Sequence, residues 1–253
     1  TAFSPIVLEH NIRFAVVRDS LIRYYNWCER NHREDAIASC RQGGPWPGGV
    51  ALVRSKPSYS LIENNTIYGG AGEGINCALC SHLIVRGNRV GNTHSTTVYV
   101  EHGNHTIIEN NVIWGNPANG NAYYRGGVSF DGIGLTMEDY ALSDPRSGAG
   151  SDNLIRNNLI VGHNHCIRSG AMPRSAEAGH SIGARIYGNT CAGQMGDAVI
   201  RMNQPSANTG SWDVRNNIFH SPGAQTMCQV PGSDSIRFDN NLWSDSPSVS
   251  GCR

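Results

Sequence analysis

Apolar and polar positions along this chain fall into one phrase that keeps returning. An apolar residue is followed by a polar or charged one, then Asp, Asn or Gly, then Asn or Ser, any residue, and a second apolar one. The phrase reads Val17-Arg-Asp-Ser-Leu-Ile22, Ile62-Glu-Asn-Asn-Thr-Ile67, Val85-Arg-Gly-Asn-Arg-Val90 and Ile108-Glu-Asn-Asn-Val-Ile113. It continues as Ile155-Arg-Asn-Asn-Leu-Ile160, Ile186-Tyr-Gly-Asn-Thr-Cys191, Val214-Arg-Asn-Asn-Ile-Phe219 and Phe238-Asp-Asn-Asn-Leu-Trp243. Anchored on the fourth position (Ser20, Asn65, Asn88, Asn111, Asn158, Asn189, Asn217, Asn241), the spacings are 45, 23, 23, 47, 31, 28 and 24. Such repetition marks an array of coils, each unable to bury its own apolar positions and therefore stacked on the next.

Every column of the phrase has a physical reading. The third position holds only Asp, Asn or Gly, the residues that enter the left-handed αL region at least cost, so one residue can turn one strand sharply into another. The Asn that follows is placed to point inward and hydrogen-bond along the stack, satisfying backbone groups that a buried bend would strand. Apolar residues on either side of the turn stack into a core. The second position runs Arg18, Glu63, Arg86, Glu109, Arg156, Tyr187, Arg215, Asp239, alternating in sign over its first four members, and reads as a solvated ionic ladder on an outward face.

A third strand is expected roughly ten residues after each anchor: Gly49-Val50-Ala51, Gly74-Ile75-Asn76, Thr97-Val98-Tyr99, Gly127-Val128-Ser129 and Ala198-Val199-Ile200. Amphipathic helices are not evident, and hairpin turn pairs do not recur at a fixed spacing. The expected fold is all-β: a single domain over residues 1–253, a right-handed parallel β-helix of about eight coils with three short strands each and an Asn ladder. The long spacings place insertions at Tyr24–Pro47, at Asn116–Arg125 with Gly132–Asp152, and at Ser169–Gly183. These leave the coil near its first strand and would wall a groove on that face, where repeat scaffolds concentrate function.

Composition narrows the field. The 20 Lys+Arg balance 20 Asp+Glu, so no global field points to nucleic acid or an anionic membrane, and no apolar run approaches the length of a span. Lys56 is the only lysine, a skew that fits a GC-rich bacterial source. Eight cysteines favour an extracellular, secreted setting. Cys28/Cys40 and Cys228/Cys252 have spacings that suit loop-closing disulfides. Cys77 and Cys80 with His82 read better as buried thiols or a disulfide than as half a zinc site, which needs four ligands.

The Asn-turn phrase and the 22–24-residue coil resemble the pectate-lyase-like superfamily of right-handed β-helix proteins, over roughly residues 15–245. Such proteins include polysaccharide lyases, hydrolases, uronate epimerases, tail-spike proteins and β-helix carbohydrate-binding modules. The resemblance implies a long polysaccharide laid along the first-strand face. The first anchor at Ser20 leaves no room for the N-terminal capping helix usual in such stacks, which implies a monomeric domain cut from a larger modular protein and tethered to a catalytic domain.

Three functions from different classes follow. The first is a non-catalytic module binding a plant cell-wall polysaccharide, with xylan-type hemicellulose implied by the resemblance. It would use Tyr99 facing outward beside Asn76 and Ser129, with Glu101 and Asp131, stacking aromatics Tyr123, Tyr124 and Tyr140 from the adjacent insertions, and Trp27 or Trp46. The second is a polysaccharide lyase or epimerase acting on a pectin- or alginate-like polymer. Glu101 and Asp131, each three residues beyond Val98 and Val128, would stack on adjacent coils, with Arg168 and Arg201 on the next two. The third is a structural or adhesive repeat. No cofactor is required; Ca²⁺ is an accessory that some lyases of this kind use, and the lack of a dense acidic cluster counts against the Ca²⁺-rich ones. The Asn-Thr-Asp and Asp-Asp signatures of the superfamily's hydrolases are missing, with only His102-Gly103 echoing them. His94, His102 and His105 read as scattered surface residues, Trp243 and Phe219 as core, and Tyr68 and Trp114 as sharing an outward column on the third strand.

Overall fold

The αL turn residues set the architecture. In the computed structural model Asp19, Asn64, Gly87, Asn110, Asn157, Gly188, Asn216 and Asn240 all lie in the left-handed region, with φ from 51 to 64°. Each breaks the chain between two short strands, and the next coil repeats the break one strand spacing, about 4.8 Å, further along. The structure describes residues 5–9, 12–23, 48–53, 57–70, 72–93, 95–115, 131–135, 152–169, 183–194, 196, 198–202, 211–222, 226–229 and 236–244.

Strands are numbered in chain order and sort into three parallel sheets of eight. The first sheet holds β1 (Ile6–Glu9), β4 (Gly48–Val53), β7 (Glu73–Ala78), β10 (Val98–Glu101), β13 (Asp131–Leu135), β16 (His165–Ser169), β19 (Ala198–Met202) and β22 (Thr226–Gln229). The second holds β2 (Val16–Arg18), β5 (Leu61–Glu63), β8 (Ile84–Arg86), β11 (Ile107–Glu109), β14 (Asn153–Arg156), β17 (Ala184–Tyr187), β20 (Trp212–Arg215) and β23 (Ile236–Asp239). Across the Asn turn lies the third, with β3 (Leu21–Arg23), β6 (Thr66–Tyr68), β9 (Arg89–Gly91), β12 (Val112–Trp114), β15 (Leu159–Val161), β18 (Thr190–Ala192), β21 (Ile218–His220) and β24 (Leu242–Ser244). Three strands per coil and eight coils match the expectation from the repeat.

The core is built from inward residues stacked coil upon coil. Val50, Ile75, Val98, Ile133, Ile167 and Ile200 stack in the first sheet, all fully buried. Ile62, Val85, Ile108, Ile155, Ile186 and Val214 do so in the second, and the third column ends on Cys191, Phe219 and Trp243. Phe219 and Trp243 stack with ring centroids 4.4 Å apart, as core residues. Burying each such side chain contributes about 1.5–3 kcal/mol.

The Asn ladder runs the length of the stack. Asn88 Oδ1 accepts from the backbone N–H of Asn65 at 2.9 Å and from its side-chain Nδ2 at 3.0 Å, while Asn88 Nδ2 donates to the Ile62 carbonyl at 2.9 Å. The same pattern links Asn111, Asn158, Asn189, Asn217 and Asn241, and Ser20 closes one end by donating its N–H to Asn65 Oδ1. The second-position column also stacks as read. Glu63 Oε2 pairs with Arg86 Nη2 at 2.8 Å and Glu109 Oε2 with Arg156 Nη2 at 2.6 Å.

The first sheet departs from the expected strands in three places. Its fourth core position is Ile133, in β13, and not Val128: Val98 pairs with Ile133. Residues 132–135 therefore belong to the coil and not to an insertion, and 127–129 lie outside the described residues. A strand also forms at His165–Ser169, where none was expected, and Ile200, one residue beyond Val199, takes the core column. Cys77 and Cys80 form a disulfide at the end of β7, and a second joins Cys166 of β16 to Cys191 of β18, Cα atoms 5.8 Å apart. Cys28, Cys40 and Cys252, and the side chain of Cys228, lie outside what the structure describes.

Candidate functional site

The outward side of the first sheet carries a cluster of buried titratable side chains. Asn76, Tyr99, Gly134, Arg168 and Arg201 share one register column, one residue per coil. Arg168 and Arg201 are thus direct cross-strand neighbours, both half-buried. Like charges placed opposite one another in a sheet repel. Gly134 contributes no side chain between Tyr99 and Arg168, whose backbones lie two strand spacings, about 9.6 Å, apart.

Three positions earlier on β16, His165 sits opposite Asp131. Its Nδ1 lies 2.6 Å from Asp131 Oδ1, and both side chains are buried. Arg168 reaches back along its own strand to place Nη1 3.6 Å from Asp131 Oδ2. Beneath them His163 Nε2 meets Thr97 Oγ1 at 2.9 Å, and Thr97 meets Thr93 Oγ1 at 3.0 Å. Complete burial pushes the His163 pKa down to about 4, outweighing the nearby Asp131 charge, so its ring is neutral near pH 7. Along β10, Tyr99 Oη donates a short hydrogen bond to Glu101 Oε2, and Glu101 Oε1 is 3.0 Å from His102 Nε2. At the start of β7, Glu73 Oε2 accepts from Asn76 Nδ2 at 3.4 Å.

Several sequence readings are corrected by this geometry. Glu101 and Asp131 do not stack on adjacent coils. Because Val98 pairs with Ile133, Asp131 lies two residues before that core position and Glu101 three residues after its partner, at opposite ends of the sheet face. Tyr99 points outward beside Asn76 but is 5% exposed, its neighbour on the other side is Gly134 rather than Ser129, and its hydroxyl is engaged. It is not an open stacking platform. His102 is buried rather than on the surface, while His105 is exposed and His94 lies outside the described residues. Tyr123, Tyr124, Tyr140, Trp27 and Trp46 also lie outside them.

Arg168 and Arg201 are brought together as read, beside Asp131. His163 and His165 went unnoticed in the sequence. The available signal was their alternation, His163-x-His165, just past the Asn158 phrase. Tyr68 and Trp114 do share a column through Gly91. The indole lies over Gly91, where an added Cβ would come within 2.2 Å of Trp114 Cδ2. Among the described residues no three His, Cys, Asp or Glu side chains converge on a metal-sized site. Glu101 and Asp131 are each committed to other side chains, so this face does not fit a Ca²⁺ cage.

Comparison with known proteins adds to the fold. A family model described as the right handed beta helix region matches residues 25–135. The fold of the chain is a right-handed parallel β-helix. Its fold is similar to that in the crystal structure of alginate lyase from Paenibacillus sp. str. FPU-7, with a TM-score of 0.59 and 12% sequence identity, covering 96% of this chain and 87% of that one. At that identity the likeness speaks for the fold alone. No curated protein matches the sequence. In this β-helix the polar cluster lies on β10, β13 and β16, while segments 116–130, 136–151 and 170–182 lie outside the described residues.

Proposed function

We propose that this protein is a polysaccharide lyase, cleaving a uronate-containing polymer by β-elimination on the outward face of the first sheet. The observation that supports this best is the direct cross-strand pairing of Arg168 with Arg201 beside the Asp131–His165 pair. Two adjacent guanidiniums are unfavourable alone but suit a carboxylate, which they would bind and neutralise. Neutralising the uronate carboxylate makes its C5 proton more acidic. Asp131 holds a proton on His165 Nδ1 and so leaves Nε2 as the acceptor, the arrangement a general base needs. As the C5–H bond breaks to His165, the C4–C5 double bond forms and the C4–O bond breaks. The departing C4 oxygen takes its proton from solvent, since Tyr99 lies two coils from His165 with its hydroxyl bonded to Glu101.

The neighbour's printed activity, on alginate, and the pectin-like alternative from the residue pattern set the assay. Purified protein is incubated with alginate, polygalacturonate and xylan, and the unsaturated uronate product is followed by ultraviolet absorbance. Product from a uronate polymer, lost in Arg168→Ala and Arg201→Ala, is the expected result. No product from either uronate polymer overturns the reading. A chelator arm tests Ca²⁺ as an accessory; the steps above use side chains and solvent only. The polysaccharide as partner and an extracellular site of action belong to the same proposal.

A second reading, a non-catalytic glycan-binding module, is favoured by a different observation: Trp114 laid over Gly91 beside Tyr68 on the third sheet. A half-exposed ring backed by glycine is a platform for a sugar face. Retardation in xylan-containing gels that disappears in Trp114→Ala, without turnover of any polymer, would select it.

A further inference from the structure

The turn from the first sheet to the second has its own repeat, distinct from the Asn turn. Arg13, Ser58, Ser81 and Asn104 lie in parallel bridge register, one per coil. Each is followed by a bulky residue in the αL region: Phe14 (φ 59°), Tyr59 (55°), His82 (55°) and His105 (53°). An L-residue there costs about 1–2 kcal/mol, and the Asn turns show that this chain uses Asn, Asp or Gly where only a bend is needed. The four rings are instead lined up along the coil axis, the first three stacked and the last tilted, with centroids 5.5, 4.5 and 4.8 Å apart. Aromatic pairs contribute about 0.5–1.5 kcal/mol each, so the three pairs offset part of the turn strain. Strain of this kind, held in place by a stack, marks a constructed feature.

This rail borders a hollow of about 340 Å³. Arg13, Ser58, Tyr59, Ser81 and Asn104 line it on the rail side. Leu79 and the buried His102, both also αL, line it from the ends of β7 and β10. The volume lies in the range of small-ligand sites and suits a sugar unit. Both faces of the Tyr59 ring are taken by Phe14 and His82, so it offers its edge and hydroxyl. The lining supplies three hydroxyls, an amide, an imidazole and one guanidinium, and no carboxylate. That set fits a hydroxyl-rich ligand carrying one negative charge. Through His102, adjacent to Glu101, the hollow adjoins the first-sheet cluster.

We infer that this hollow is a second sugar subsite, taking a uronate unit of a polysaccharide with its carboxylate at Arg13, off the end of the first sheet. The ligand class rests on the proposed lyase reading; the site itself rests on the hollow and its rail. The test titrates the intact chain with trigalacturonate, trimannuronate and, as a neutral probe, xylotriose, following the ring NMR signals of Tyr59 and His102. Unsaturated product is read separately in the same samples. The result expected is saturable shifts of both rings with at least one uronate trimer, affinity about tenfold lower in Arg13→Ala and restored toward wild type in Arg13→Lys, and weaker binding of xylotriose. Arg168→Ala is expected to leave those shifts in place. Silent Tyr59 and His102 signals with both uronates overturn the inference, as does Arg13→Ala binding like wild type or xylotriose binding as well as the uronates. Ring shifts without product from any sample keep the subsite and sink the lyase reading; product with silent rings does the reverse.

Discussion

Asp131 and His165 face each other across adjacent strands of the first sheet, with Oδ1 and Nδ1 2.6 Å apart and neither side chain open to solvent. A buried carboxylate on one ring nitrogen fixes the tautomer and aims the other nitrogen. The Asp131→Asn substitution keeps the shape and removes that instruction. Turnover of the uronate polymer is expected to fall about 10²–10⁴-fold, in line with loss of general-base catalysis, with KM little changed. Steady-state kinetics beside a melting curve check this. A variant that melts like wild type and turns over within a few-fold of it would remove His165 from the base role.

His163 predicts a pH dependence of stability. Its folded pKa, about 4, is lowered from the 6.5 of the unfolded chain, chiefly by burial. Between those values the unfolded state binds the proton and the folded state does not, so stability rises with pH across the window and is fully present above about pH 6.5. As pH falls toward 4 this one group withdraws on the order of 3 kcal/mol. Urea unfolding at a series of pH values is expected to show that slope in wild type and to lose it in His163→Gln. Equal slopes in the two proteins would contradict the assignment.

Asn111 occupies the middle of the ladder. It accepts from Asn88 N at 2.9 Å and Nδ2 at 3.0 Å, and donates to the Val85 carbonyl at 2.9 Å and to Asn158 Oδ1 at 2.9 Å. The substitution Asn111→Ala strands several buried groups, each worth about 1–3 kcal/mol, and is expected to cost on the order of 3 kcal/mol. Asn241, at the end of the ladder and only partly buried, accepts from Asn217 and donates to Val214. Asn241→Ala is expected to cost about 1 kcal/mol. Denaturant midpoints of the two variants give the comparison; equal losses would mean the ladder is not cooperative in the way its geometry implies.

These contrasts explain what could be read in advance. Turn, core and ladder residues such as Asn64, Asn65 and Ile67 occupy a six-residue phrase, so local chemistry determines them and repetition exposes them. The outward ionic column was legible for the same reason. The first-sheet site depends on register across segments of unequal length. A strand start of Asp131 or of Gly127 is equally compatible with the apolar pattern, since Val128 and Ile133 both suit a core column. Choosing the wrong one moves Asp131 from beside His165 to beside Glu101. Tyr99 shows a second limit: period-2 alternation gives its direction but cannot tell that its ring will be buried and its hydroxyl bonded to Glu101.

Two glycines that look alike in sequence separate strain from space. Gly193 adopts φ 66°, yet a Cβ there would meet nothing nearer than Gly162 N at 3.9 Å. Gly193→Ala therefore costs only the left-handed backbone, about 1 kcal/mol. At Gly115 the added Cβ would lie 1.9 Å from the carbonyl oxygen of Gly162, on the next coil, and 2.7 Å from its carbon. That oxygen is backbone and cannot rotate away, and the Gly115 N–H is itself bonded to the Val161 carbonyl at 2.8 Å. The coil spacing would have to open locally, breaking ladder bonds on both sides. Gly115→Ala is expected to cost on the order of 4 kcal/mol, in the range reserved for overpacking with loss of hydrogen bonds. Thermal melts of both variants decide it. Similar melting points would mean that neighbouring coils slide apart more easily than a parallel sheet bonded strand to strand should allow.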